Sequence, residues 1–240
     1  MEVDDRRTPA RELGPTIAAG RDAVIHAVGT DRVLRRTPDE RSLVGEASAM
    51  EHVRAAGYPV PAVHRVGPGE MELDRVAGPT MLEDLSRRPW RMAAHARTLA
   101  DLHHRLHAIA APADMAAFPP LEGDAVIHLD LHPGNVLLAT DGPVVIDWTN
   151  ARRGPGPADV ALTWIILAAM EADGSAVMSA LVSMFRRRFV ARFLASAGRE
   201  DARRVLAAVA GYRTGDRNTR PTERGAIERL VASEAAGGPG

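Results

Sequence analysis

The sequence predicts an α+β fold in two parts, a small mixed N-terminal part and a mainly helical C-terminal part. Three observations lead there. Short β-prone runs and one amphipathic helix fill roughly the first 75 residues, Gly78-Pro79 interrupts them, and helical spacing dominates after Pro157. The expected division is 1–77, 78–212, and a loose polar tail over 213–240.

Within the first part, Ala23 to Val28 and Arg32 to Arg35 read as strands joined by the turn Gly29-Thr30-Asp31. Leu43, Ala47, Met50 and Val53 recur at helical spacing between Ser42 and Ala56, and Gly57 stops that helix. Each proline in Tyr58-Pro59-Val60-Pro61 disfavours helix for the residue before it, so this stretch is extended. Val63 to Val66 and Met71 to Leu73 are further short strands. Beyond Gly78-Pro79, Trp90 to Ala110 reads as one long helix, and Pro112 to Asp124 as a connection. Two apolar runs, Ala125 to Ile127 and Val144 to Ile146, flank the polar segment His128 to Asn135. Asp141-Gly142 is a hairpin signal between Val136-Leu137-Leu138 and the second run. Helices are then expected over Asp159 to Glu171, Ala176 to Ser196 and Ala202 to Gly211.

Composition narrows the chemistry. The 240 residues are 45% hydrophobic and 25% charged, ordinary for a globular chain of one large or two small domains. A formal net charge of -1 gives no electrostatic case for nucleic acid. With no cysteine, a disulfide scaffold, a thiolate zinc site and a cysteine nucleophile are all excluded. All 30 basic residues are arginine; the lysine-dependent chemistries, a Schiff base and a Gly-Lys-Ser/Thr phosphate loop, are therefore excluded too. The charged start, Met1 to Arg11, carries no apolar signal core, and Val160 to Met170 is too short for a membrane span. A cytoplasmic protein without membrane contact is the expectation.

The informative segment is His128-Leu129-Asp130-Leu131-His132-Pro133-Gly134-Asn135, with Asp147 twelve residues beyond Asn135 in Val-Val-Ile-Asp-Trp. The hairpin turn folds Asp147 back beside Asn135, collecting two carboxylates and an amide oxygen. Such hard donors suit Mg2+ held by one or two protein groups plus substrate phosphates. In phosphoryl transfer Asn135 and Asp147 suit the metal, and Asp130 is free to orient the attacking hydroxyl and accept its proton.

This segment resembles the aminoglycoside phosphotransferase/choline kinase family, whose catalytic loop reads His-Gly-Asp-Leu-His-Pro-x-Asn and whose metal motif is Ile-Asp-Trp/Phe. Here they stand as HLDLHPGN and IDW. The resemblance covers about Ile17 to Met170 and implies a bilobal protein-kinase-like fold. It further implies transfer of the ATP γ-phosphate, with Mg2+, to a hydroxyl of a small-molecule acceptor. In the family's terms Arg35 falls at the nucleotide-phosphate cation, Glu46 at its helix partner, and Met71 to Val76 at the hinge that holds adenine. Gly154 and Asp159 match the glycine and aspartate that follow the metal motif. An aminoglycoside is the acceptor the family name suggests; choline-like, sugar-like and amino-alcohol acceptors stay open.

Three departures stand out. Leu129 replaces the family's glycine, Arg35 stands where a lysine is usual, and Thr149-Asn150 follows Asp147-Trp148 where many relatives carry a glutamate. The first two keep a rival open, a catalytically impaired nucleotide-binding protein that serves in interactions. A protein kinase is a second rival, but no long segment between Asp147 and Asp159 provides an activation loop.

Several residues have plainer readings. His128 and His132 are expected to fix the loop rather than react, and His103 and His107, four apart, to lie on a partly exposed helix face. Arg186-Arg187-Arg188 reads as a solvated face, with contact to an anionic acceptor or partner as the alternative, and Arg36 rivals Arg35. Gly14 to Gly20 either covers phosphates or makes a turn. Neither Gly67-Pro-Gly69 nor Gly154-Pro-Gly156 has dinucleotide-fingerprint spacing.

Overall fold

The computed structural model describes residues 14–20, 23–170, 176–215 and 219–237. The charged start, Met1 to Arg11, lies outside them, as does the close of the chain, Gly238 to Gly240. A five-stranded antiparallel sheet of order β1-β2-β3-β5-β4 forms from β1 (Thr16–Ala19), β2 (Val24–Val28), β3 (Arg32–Arg36), β4 (Val63–Gly67) and β5 (Glu70–Asp74). Gly29, at φ 65, makes the β2–β3 turn and sets Ile25 opposite Arg35. β5 then lies beside β3 with Met71 opposite Arg35.

Helix α1 (Val44–Ala55) packs near β4 and buries Glu46, Ala47, Ala49, Met50 and Val53. It ends where Gly57 takes a φ of 80.

The chain then descends through α2 (Met81–Arg87) and α3 (Met92–His107). β6 (Ala125–Ile127) pairs with β9 (Arg152–Gly154), and β7 (Val136–Ala139) with β8 (Gly142–Val145). The β7–β8 hairpin is tied upward: Val145 N–H donates to Pro59 O at 2.8 Å and Leu138 N–H to Pro79 O at 2.9 Å. Gly78 permits this approach, since a Cβ there would sit 2.2 Å from the Leu138 carbonyl oxygen. Among the described residues four helices follow: α4 (Gly156–Ala169), α5 (Ala176–Ala197), α6 (Arg199–Gly215) and α7 (Pro221–Ala235). Helix α4 is apolar nearly all round because α3, α5, α6 and α7 all pack on it. No helix among the described residues is long and apolar enough to cross a membrane.

The mixed α+β class and the kinase-like division into a sheet-rich N-terminal part and a helical C-terminal part are as expected. Details differ. Gly14 to Gly20 contributes the exposed edge strand β1. The long helix begins at Met92, after a 3-10 turn over Pro89–Arg91. The tail expected from residue 213 onward is not loose where it is described: α6 runs on to Gly215 and α7 follows. Ile227 is buried, and the half-buried Leu230 and Val231 join the same core. Arg199 Nη2 meets the buried Glu234 at 2.6 Å. Ile227→Ala is therefore expected to cost roughly 2–5 kcal/mol, whereas a change in a loose tail stays within about 0.5 kcal/mol. Chemical denaturation of the two proteins measures the difference.

Candidate active site

The segment from His128 to Asn135 leaves β6, doubles back through a 3-10 turn over Pro133–Asn135 and enters β7. Its backbone is unusual at Leu129, which takes a φ of 60. That left-handed conformation costs a side chain roughly 1–2 kcal/mol. Asp159, at the start of α4, holds the conformation in place. One carboxylate oxygen accepts Leu129 N–H at 2.7 Å and the other accepts His128 N–H at 3.0 Å. The Leu129 side chain is buried in the core. Leu129→Gly would thus relieve the strain but leave a cavity costing roughly 2–5 kcal/mol. Net destabilisation is expected; a higher melting temperature would contradict this balance.

Below the segment, α3 and α4 meet through two pairs of side chains one turn apart. His107 Nε2 lies 3.1 Å from Asp159 Oδ2, and His103 Nε2 lies 3.1 Å from Thr163 Oγ1. The Thr163 hydroxyl in turn donates to Leu131 O at 2.8 Å. His103 is completely buried and pushed down to about 4, chiefly by burial. The partly exposed face expected for His103 is thus wrong, and the pair supports the loop instead of facing solvent. Burial tends to raise the Asp159 carboxyl, but the His107 hydrogen bond and the histidines around it outweigh burial and hold it well below the usual carboxylate range.

His128 and His132 both act within the loop. His128 is buried, with Nε2 3.2 Å from the Ile146 carbonyl and its ring edge-on to Trp148. His132 Nδ1 accepts Gly134 N–H at 3.0 Å, which closes the 3-10 turn. Burial, then the nearby His128, pushes His132 down to about 4.

Above these supports stand the candidate reactive groups. Asn135 Nδ2 donates to the Asp130 backbone carbonyl and to Asp130 Oδ2, both at 2.9 Å. This orientation commits the amide nitrogen to Asp130 and leaves the amide oxygen to face another partner. Ile146 N–H donates to Asn135 O at 3.0 Å, drawing the start of the Asp147 segment alongside. Burial, and then the charge of Asp147, raises the Asp130 carboxyl to about 7, partly opposed by the Asn135 hydrogen bond.

The strand residues reach the same place from the sheet. Arg35 Nη1 lies 2.7 Å from Glu46 Oε2, a pair that is almost wholly buried. Arg35 Nη2 donates to Thr149 Oγ1 at 2.9 Å and lies 3.6 Å from Asp147 Oδ1. Asp147 takes a φ of 64 and keeps its side chain about half exposed. The structure therefore brings Arg35, Glu46 and Asp147 together on one side, and Asp130 with Asn135 on the other. Arg36, the rival, points away and pairs with Glu70 at 2.8 Å. Arg186, in the basic run of α5, reaches the Met170 carbonyl and is only half-exposed, while Arg187 and Arg188 are exposed.

Sequence reading missed two contributors, Thr163 and the bridging hydroxyl of Thr149. The tie through Thr163 depends on how α3 and α4 cross, which no local pattern reveals. Thr149 stood out only as a departure.

A family model described as "Phosphotransferase enzyme family" matches residues 71–212. No curated protein sequence matches the chain. Among solved structures, a thermostable mutant of aminoglycoside phosphotransferase APH(4)-Ia, in ternary complex with AMP-PNP and hygromycin B, is similar at a TM-score of 0.64 and 16% identity, over 92% of this chain and 93% of that one. A choline/ethanolamine kinase family protein from Mesorhizobium loti is similar at a TM-score of 0.58 and 16% identity, over 95% and 89%. The gentamicin complex of APH(2'')-IIa is similar at a TM-score of 0.57 and 13% identity, over 94% and 90%. At such identities the likeness is one of fold.

Proposed function

Because the chain belongs to the phosphotransferase enzyme family, whose model matches more than half of it, we propose that it moves the γ-phosphate of ATP, with Mg2+, to a hydroxyl of a small molecule. The observation that carries this reading is that Asn135 holds Asp130, Arg35 and Glu46 pair beside Asp147, and Asp147 lies near enough for its charge to act on Asp130. The donor set fits magnesium. A half-exposed carboxylate and an uncommitted amide oxygen leave room for phosphate and water oxygens, which this small, hard cation prefers to an all-protein cage. Among the described residues, no group of three or more His, Cys, Asp or Glu side chains is placed to enclose a metal.

In this reading Asn135 and Asp147 would hold the metal. When bound, magnesium neutralises charge on the phosphate oxygens. Arg35, fixed by Glu46, contacts the nucleotide phosphates from the sheet side. A guanidinium keeps its charge and can donate two bonds to phosphate, so arginine can serve where lysine is absent. Asp130 orients the acceptor hydroxyl and takes its proton as the phosphoryl group arrives. A carboxyl near neutrality is well matched to that task. The division into a nucleotide-binding part over 1–77 and a helical part over 78–212 follows from the same reading.

The acceptor class suggested by the resemblance is an aminoglycoside or a similar polyhydroxylated amine. Nucleotide consumption with ATP or GTP, measured against aminoglycosides, choline-like amino alcohols and sugars in turn, tests this. Consumption that rises with one acceptor class supports the proposal. Nucleotide binding with no acceptor-dependent consumption would favour the rival of an impaired nucleotide-binding interaction protein, to which Leu129 and Arg35 lend support. Robust labelling of generic proteins would favour a protein kinase.

A further inference from the structure

The Thr149 hydroxyl is the one neutral group in the cluster of Arg35, Glu46 and Asp147. It accepts from Arg35 Nη2 at 2.9 Å, lies 3.1 Å from Glu46 Oε2 and lies 3.0 Å from Asp147 Oδ1. A hydroxyl has a single hydrogen, so it donates to one of these carboxylates at a time. The other is left with Arg35 or with whatever enters the site.

The consequence is visible in the distances. Arg35 Nη1 is in direct contact with Glu46 at 2.7 Å, yet Arg35 Nη2 stands 3.6 Å from Asp147, beyond hydrogen-bond range. The Thr149 oxygen fills that gap. A guanidinium has five donors in a planar fork that fits carboxylates on two sides at once. Without the intervening hydroxyl, Arg35 has the reach to bond Glu46 and Asp147 together. A carboxylate captured in this way competes poorly for a divalent cation. Arginine at this strand position therefore carries a hazard that a single-pronged ammonium does not.

We propose that Thr149 is a positioning residue that keeps the Arg35 guanidinium off Asp147 and so leaves that carboxylate available to a divalent metal. The inference rests on the metal-nucleotide reading of the site. The hydroxyl hydrogen is within reach of Glu46 as well as of Asp147, so Thr149 could donate to Glu46 where Asp147 would hold a cation. Thr149 and Arg35 act as a pair, each tolerable because of the other.

Calorimetric titration with AMP-PNP, in excess Mg2+ and separately in chelator, reads the metal contribution without turnover. Thr149→Val keeps the shape of the side chain and deletes the hydroxyl. It is expected to weaken metal-dependent binding by about tenfold, within the usual range for coupled neighbouring side chains. Metal-free binding should fall by less than metal-dependent binding does, because Arg35 keeps its charge whichever carboxylate it bonds. Thr149→Ser restores the metal-dependent affinity. In an Arg35→Lys background, Thr149→Val should lose little or nothing, because the forked donor is gone. Melting temperatures of all variants separate a local effect from unfolding, and Thr149→Ser serves as the folded control if Thr149→Val is unstable. Unchanged metal-dependent binding in Thr149→Val overturns the proposal. So does an equal loss in the Arg35→Lys background, which would mean that Thr149 acts without Arg35. If the wild-type protein shows no metal-dependent binding at all, it is the phosphotransferase site that fails, and the Thr149 inference falls with it.

Discussion

Asp130→Asn is expected to lower acceptor phosphorylation by about two to four powers of ten, while the affinity for magnesium-nucleotide changes little. The substitution keeps the shape of the side chain and an oxygen for Asn135 Nδ2, which lies 2.9 Å from Asp130 Oδ2. It removes the carboxylate proposed to take the proton of the acceptor hydroxyl. Single-turnover kinetics at saturating nucleotide measure the loss. The same variant has a stability signature in chelator. Burial and the charge of Asp147 raise Asp130 from 3.8 to about 7 in the folded chain. Between those values the unfolded chain gives up a proton that the folded chain keeps, so wild-type stability falls as pH rises through this window. Asparagine has no proton to lose. The melting temperature of Asp130→Asn should therefore gain on wild type between about pH 4 and pH 7, and parallel curves would contradict the shift.

The second large effect falls on the fold. Asp159→Ala leaves the buried amides of His128 and Leu129, and the partly buried His107 ring, without their shared acceptor. Each orphaned buried donor costs roughly 1–3 kcal/mol, so a total of about 3–5 kcal/mol is expected. Against a typical stability of roughly 5–15 kcal/mol, such a loss leaves the protein barely folded at 37 °C. Asp159→Asn keeps one acceptor oxygen but turns an NH2 group toward a backbone N–H, and should fall between the two. Chemical denaturation ranks the three proteins. The strained Leu129 adds a kinetic consequence, because nothing else described holds its backbone amide. Surviving Asp159→Asn protein should therefore lose turnover more than nucleotide affinity.

Much of this was legible in the chain. Short β-prone runs and glycine turns marked β2, β3, β4 and β5, and helical spacing marked α1 and α3. The segment from His128 to Asn135 and Asp147 stood out because acidic and amide residues were packed between apolar runs. What stayed hidden has physical causes. β1 has one large apolar residue, Ile17, and lies at an exposed sheet edge, so it shows no alternation. Helix α2 is seven residues long; its capping box, Thr80 with Glu83, was a signal present in the sequence and not used. Helix α7 buries a thin stripe under many charges, which made it look like solvated chain. The roles of His103 and His107 depend on Asp159 and Thr163 from another helix, and spacing on one helix cannot show what lies opposite it. Thr149 gained meaning only once β3, α1 and the loop after β8 were seen to converge.

The central claim is that Asp147 and Asn135 form a metal-nucleotide site. It is tested most directly by the melting shift of wild type and Asp147→Ala on addition of magnesium-ATP, with magnesium-GTP alongside. Ligand at about 100 times its dissociation constant adds about 2.7 kcal/mol of stability, a rise of several degrees for a chain of this size. The account predicts that rise in wild type with at least one of the two nucleotides, and its loss in folded Asp147→Ala. An equal rise in both proteins, or none with either nucleotide in folded wild type, would contradict it.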